Sequence, residues 1–115
     1  MLFKYISGNN LKHALHKSTI ICNSNKIPII NFAIESNYPN HLIQKEFFNI
    51  AESLSNNYKV SLKLSLFDYD TTIIYPVISN LVKKNIKVLI DAENHTNYQK
   101  YKDLTDDIII KYNQN

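Results

Sequence analysis

The sequence predicts an α/β fold: a partial (β/α) barrel-like domain with about three parallel strands alternating with helices, preceded by an N-terminal helix. Three observations carry this. Apolar, branched runs open at residues 27, 59 and 87, a spacing that leaves room for one crossover helix after each strand. Apolar stripes at helical spacing fill the gaps between them. No Gly/Pro/Ser-rich break interrupts the chain, so its 115 residues read as a single domain over 1–115.

Leu11, Ala14, Leu15, Ser18 and Cys22 line one face of the first helix. The first strand, IPIINFA at 27–33, is apolar almost throughout, as buried parallel strands are. The second helix carries the stripe Ile43, Phe47, Ile50, Ala51 and Leu54, with Asn40, after Pro39, as its expected N-cap. The second strand, KVSLKLS at 59–65, alternates: Val60, Leu62 and Leu64 on one face, Lys59, Ser61, Lys63 and Ser65 on the other. In the third helix the stripe is Ile74, Val77, Ile78 and Leu81. Pro76 near its beginning predicts a late start or a kink. Lys83 and Lys84 suit the negative end of its dipole, and Asn85 the left-handed position that follows. The third strand is KVLID at 87–91, and Tyr101, Leu104, Ile108 and Tyr112 mark a fourth helix, with fraying expected from Asn113 onward. Right-handed strand–helix units of this kind build a parallel sheet. A full barrel needs roughly 250 residues and eight units. The expectation is therefore a small open sheet, a partial barrel that associates with another chain, or a truncated remnant.

Composition narrows the function. The chain is 44% hydrophobic and 20% charged, the balance of a folded protein. No apolar run approaches the roughly 18 residues of a membrane span, so none is expected. Met1, Leu2, Phe3 and Lys4 lack the layout of a secretion signal. Cys22 is the single cysteine, which excludes an internal disulfide and favours an intracellular, reducing compartment. The net charge is +3, yet there is no arginine, the preferred fork for phosphates, carboxylates and guanine edges. The lysines are scattered along helix faces, and together these features argue against a nucleic-acid partner. Gly8 is the sole glycine, which excludes a dinucleotide fingerprint and a phosphate-binding loop.

Parallel α/β folds bind ligands at the carboxyl ends of their strands. Glu35 follows the first strand, Lys63 and Ser65 close the second, and Asp91 and Glu93 close the third. On the third strand Val88, Ile90 and Ala92 share one face, and Leu89, Asp91 and Glu93 the other. With helices covering Leu62 and Ile90, Lys63 and Asp91 project to the same side of neighbouring strands. There the lysine can hold a substrate carboxylate, and the aspartate can orient it or accept a hydrogen bond. The plainer alternatives are a solvated Lys63 and an Asp91 that caps the next turn. Glu35 and Glu93 read as solvated loop carboxylates. His13 and His16 read as a surface pair short of a third metal ligand. His95 is a loop residue near the site, Cys22 a core position, and the eight tyrosines packing residues with wet tips.

Two motifs, VSLKLSLFDYD at 60–70 and KVLIDAENHTNY at 87–98, resemble proline dehydrogenase. In that family one strand ends in Lys-Leu-Ser or Lys-Leu-Thr. The next ends in Asp-Ala-Glu or a close variant, often followed by a tyrosine. The upstream stretch YISGNNLKHALHKSTIICNSNKIPIINFAIES is similar to the family's opening: a glycine-containing turn, a helix, the first barrel strand and a Gly-Glu end. This chain has Ile34 and Glu35 at that end. The order, spacing and strand-end placement of the motifs carry the resemblance.

The resemblance implies a flavoenzyme on a distorted eight-fold strand–helix barrel, oxidising L-proline to 1-pyrroline-5-carboxylate and passing hydride to FAD. By resemblance, Lys63 matches the substrate-binding lysine near the proline carboxylate. Asp91 matches the aspartate at the floor of the same pocket, the expected catalytic residue. The likeness spans nearly the whole chain but only the N-terminal part of the family's domain. The family's later strands supply an arginine near the flavin, further flavin contacts and paired arginines for the substrate carboxylate. The expectation is an oxidoreductase fragment of proline catabolism that neither binds FAD nor turns over alone. A second chain or self-association would complete it. A non-enzymatic interaction module or a degenerate remnant is the alternative.

Overall fold

The computed structural model describes residues 4–5, 10–33, 39–54, 58–92 and 95–113. In chain order the elements are β1 (Lys4–Tyr5), α1 (Leu11–Asn23), β2 (Ile29–Ala33), α2 (Asn40–Ser53) and β3 (Lys59–Leu62). A 3-10 turn (Leu64–Phe67), α3 (Thr71–Lys83), β4 (Lys87–Ile90), a second 3-10 turn (His95–Asn97) and α4 (Tyr98–Tyr112) complete the described chain. The expected helix followed by three strand–helix units is present. Strands β2, β3 and β4 run parallel and side by side in chain order, with Ile30 abreast of Val60 and Val60 abreast of Val88. β1 adds an antiparallel edge, Tyr5 abreast of Phe32. Two residues are too few to show alternation, so this edge is not legible in the sequence.

Sequential strand order decides where the layers go. Right-handed crossovers that all step the same way place their helices on one side of the sheet. Covering both faces would need a reversal of strand order. The buried cluster agrees: its strand residues are Ile30, Phe32, Val60 and Leu62, all on one face, and Ala14, Phe47, Ile78 and Leu104 bring in all four helices. On the other face Ile29 is 53% exposed and Leu89 37%. The dimensions, 39 × 38 × 24 Å, have the shallow depth of one sheet under one layer of helices. The sheet is open, with its strands side by side in chain order.

Phe47 sits at the centre of the core, its ring 5.4 Å from Phe32 edge-on and 5.8 Å from Phe67. Phe67 also explains why β3 stops early. Leu64 and Phe67 are both fully buried. In a strand, residues three apart point to opposite faces; a 3-10 turn, with three residues per turn, brings them to one side. The alternation expected through residue 65 therefore ends at Leu62, and Ser65 belongs to the turn, not to a strand face with Ser61. β2 likewise starts at Ile29 instead of 27. Pro28 has no N–H for a ladder, but its carbonyl accepts from the Lys59 N–H at 3.1 Å.

The helix ends combine agreement and correction. Asn10 caps α1, its Oδ1 accepting the His13 N–H at 2.9 Å. For α2 the cap position is Pro39, with no side-chain cap; Asn40 is already helical, and its amide donates to the Phe67 carbonyl at 3.5 Å instead. α3 does not start late. Asp70 caps it, accepting the Thr72 N–H at 3.0 Å, and Pro76 lies inside the helix. Helices α1 and α3 end alike, on Asn25 (φ 62°) and Asn85 (φ 59°). At the second, Asn85 donates to Val82 and Ile86 to Leu81, the paired bonds that close a helix on a left-handed residue. Gly8 being the one glycine, asparagine takes these positions, as its short polar side chain permits.

Candidate functional site at the carboxyl ends of the strands

The open face carries the odd-numbered strand residues. Ile29 and Asn31 lie on β2, Lys59 and Ser61 on β3, and Lys87 and Leu89 on β4, with Asn31 abreast of Ser61 and Ser61 abreast of Leu89. Toward the carboxyl end the surface turns polar. The Asp91 N–H still donates to the Leu62 carbonyl at 2.9 Å, so β4's ladder runs one residue past the strand proper. The register Leu62 to Ile90 then continues to Lys63 beside Asp91. Lys63 keeps an extended backbone, φ −108° and ψ 119°, so it stays in step with Ser61 before the chain turns. The two residues singled out from alternation thus sit side by side at the ends of neighbouring strands, on the face away from the helices.

Their side chains do not close on one another. Among the described residues Lys63 and Asp91 form no ion pair; the exposed pair Lys102–Asp106, at 2.9 Å within α4, shows what such a contact looks like here. Asp91 is held instead by Ser61, whose Oγ donates to its Oδ1 at 2.6 Å. Ser61 is 7% exposed, so a small buried hydroxyl fixes a half-buried carboxylate. A hydrogen bond to a charged acceptor is short and about twice as strong as a neutral one. Lys63 is exposed. The site is a carboxylate held by Ser61 next to an exposed lysine, with Asn31 abreast of Ser61 on the neighbouring strand.

Ser61 is the site residue whose role the sequence leaves unread. Alternation puts it on the correct face, but its bond to Asp91 depends on strand register across thirty residues, which no single-strand pattern states. Ser65 lies in the 3-10 turn and not in β3. Glu35 and Glu93 lie outside the described residues, as does the side chain of His95. His13 and His16 are exposed on α1. No group of three His, Cys, Asp or Glu that could hold a metal occurs among the described residues. Cys22 is half-buried beside Tyr58, and no described helix is long and apolar enough to cross a membrane.

A flavin needs donors for its diphosphate, from arginines, a glycine-rich turn or a helix N-terminus facing the site. Among the described residues the open face and its carboxyl edge offer the cations Lys59, Lys87 and Lys63 and the carboxylate of Asp91, with Ile29, Asn31, Ser61 and Leu89 between them. Comparison with protein-family models, with curated proteins and with solved structures finds no match.

Proposed function

We propose that the carboxyl edge of this sheet binds a small zwitterionic amino acid, its carboxylate on Lys63 and its ammonium on Asp91. L-proline is the candidate that the sequence resemblance supplies. The carrying observation is the arrangement of charge. A carboxylate held by Ser61 and an exposed ammonium stand on adjacent strand ends without an ion pair between them, and an α-amino acid presents the complementary pair of charges. Ser61 holds Asp91 in the acceptor position, which lowers the ordering cost of binding. This is a reading of binding and orientation. Oxidation of the bound amino acid requires a hydride acceptor, which by the sequence resemblance would be FAD. In this reading the chain contributes the substrate half of a site and not the whole of a catalyst.

Titration of the full chain with L-proline, followed by amide chemical shifts, tests this. Shifts are expected to saturate at residues 61–64 and 91–92. Tetrahydrofuran-2-carboxylate, which lacks the amine, should keep the response near Lys63 and lose that near Asp91; pyrrolidine should do the reverse. Lys63→Met and Asp91→Asn should each abolish saturation. Shifts that stay flat at high millimolar L-proline, or that concentrate away from the strand ends, overturn the reading.

A further inference from the structure

We infer that β4 is a homodimerisation edge, pairing antiparallel with β4 of a second copy about a two-fold axis through Leu89. In the described sheet β4 has a partner on one side only. The Asp91 N–H points to β3, so by backbone alternation the N–H and C=O groups of Val88 and Ile90 point to the unpaired side. An edge of this kind is a template for another strand. The question is which strand fits.

The sequence of β4 is complementary to itself. Antiparallel pairing centred on Leu89 sets Val88 opposite Ile90 of the second copy, twice, with both residues exchanging N–H and C=O bonds. Leu89 meets Leu89 of the second copy on the open face. Lys87 then lies opposite Asp91 of the second copy, also twice, on that same face, as a non-hydrogen-bonded pair with the side chains close together. Centres on Lys87 or Asp91 set like charges opposite each other, and centres on Val88 or Ile90 set Leu89 opposite Lys87 or Asp91 and lose both Lys87–Asp91 pairs. The helix-side face is ready for the incoming apolar side chains. A cavity of about 540 Å³ runs along the edge, lined by Ile78, Val82, Val88, Ile90, Ile108 and Ile109 among others. Its walls are fixed, because Tyr112 ties α4 to α3: its hydroxyl lies 2.6 Å from that of Ser79 and donates to the Tyr75 carbonyl at 3.2 Å. Val88 and Ile90 of the second copy fill this cavity and cover Ile109, which is 47% exposed in the monomer.

Sedimentation equilibrium of the full chain tests the pairing. A monomer–dimer equilibrium is expected. Lys87→Glu should place two acids face to face and weaken the dimer at least about tenfold; Asp91→Lys should do the same with two lysines. Circular dichroism checks each fold: Lys87 is exposed, so Lys87→Glu breaks no internal contact, whereas Asp91→Lys also removes the acceptor of the Ser61 hydroxyl. Mixed together, the two variants should form a heterodimer. One of its cross-strand pairs sets the introduced glutamate against the introduced lysine, and the other keeps the native Asp91 against the native Lys87. A wild-type monomer at all concentrations, a dimer indifferent to Lys87→Glu, or a mixture that fails to associate overturns the proposal. A monomer captured only by a different strand-donating chain also counts against it. Because the second copy's Lys87 lies against the Asp91 that the amino-acid site uses, the two readings are separated by Lys63→Met, which lies outside β4: it should abolish amino-acid binding and leave the dimer intact.

Discussion

Tyr58 shows how one side chain can link two elements and respond to pH. It precedes β3 and lies against Cys22 and Thr19 of α1. Its pKa is raised above 10.0, first by burial and next by the hydrogen bond and electrostatic interaction with Cys22, while the Thr19 hydroxyl pulls the other way. The folded chain therefore favours the neutral phenol. Stability is fully present below the unfolded value and is lost as pH rises from there through the higher folded value. The melting temperature of the wild type should fall with pH above 10.0, and that of Tyr58→Phe should fall less steeply. Because the other tyrosines are common to both chains, the difference isolates Tyr58; parallel curves would remove the phenol from this role. The candidate site was partly legible at the same scale. Period-two alternation and the strand-end rule suffice to pick Lys63 and Asp91. They do not reach Ser61, whose function is a contact between strands.

At the scale of elements, the helical stripes were the clearest signal and their boundaries the faintest. Ile43, Phe47, Ile50 and Ala51 are buried as their spacing requires, and so are Ile74, Val77, Ile78 and Leu81. The end of β3 was not legible, because Leu64 continues the strand's alternation and only the burial of Phe67 shows that the chain has already turned. Pro76 makes the same point for α3. A proline at the sixth helical position removes the bond to the Thr72 carbonyl, yet the helix starts at Thr71, because Asp70 caps it and the four buried residues hold it. Propensity yields here to tertiary packing. The unfavourable backbone should still be measurable. Pro76 is exposed, so Pro76→Ala changes little packing. It recovers the helical penalty of about 3 kcal/mol and loses up to about 1 kcal/mol of restriction on the unfolded chain. A net gain of about 2 kcal/mol is expected in urea denaturation. A loss would show that the ring itself supports the helix.

The whole molecule is a single layer of helices on a single sheet, and that asymmetry ranks its parts by stability. β3 lies between two parallel neighbours, and Val60 and Leu62 are wholly inaccessible. Helices α2 and α3 pack on one another, share one buried cluster with that strand and bury four residues each. α1 buries only Ala14 and Ser18, both small, and its Ser18 hydroxyl is satisfied within the helix by the Ala14 carbonyl at 2.8 Å. Since apolar burial stabilises by about 25 cal/mol per Å², a helix that hides two small side chains is held far less tightly than one that hides a phenylalanine and two isoleucines. Local opening should therefore begin at α1 while the β3 sheet stays closed. Native-state hydrogen exchange in increasing denaturant measures this directly. Amides 60–62 should exchange only with the free energy and denaturant slope of global unfolding. Amides of α1 should exchange at lower free energy and with a shallower slope, reflecting the smaller surface their opening exposes. If the α1 amides instead merge with those of β3 at the lowest denaturant, the helix is part of the cooperative core. Its half-buried Leu11 and Leu15 would then be contributing more than their exposure suggests.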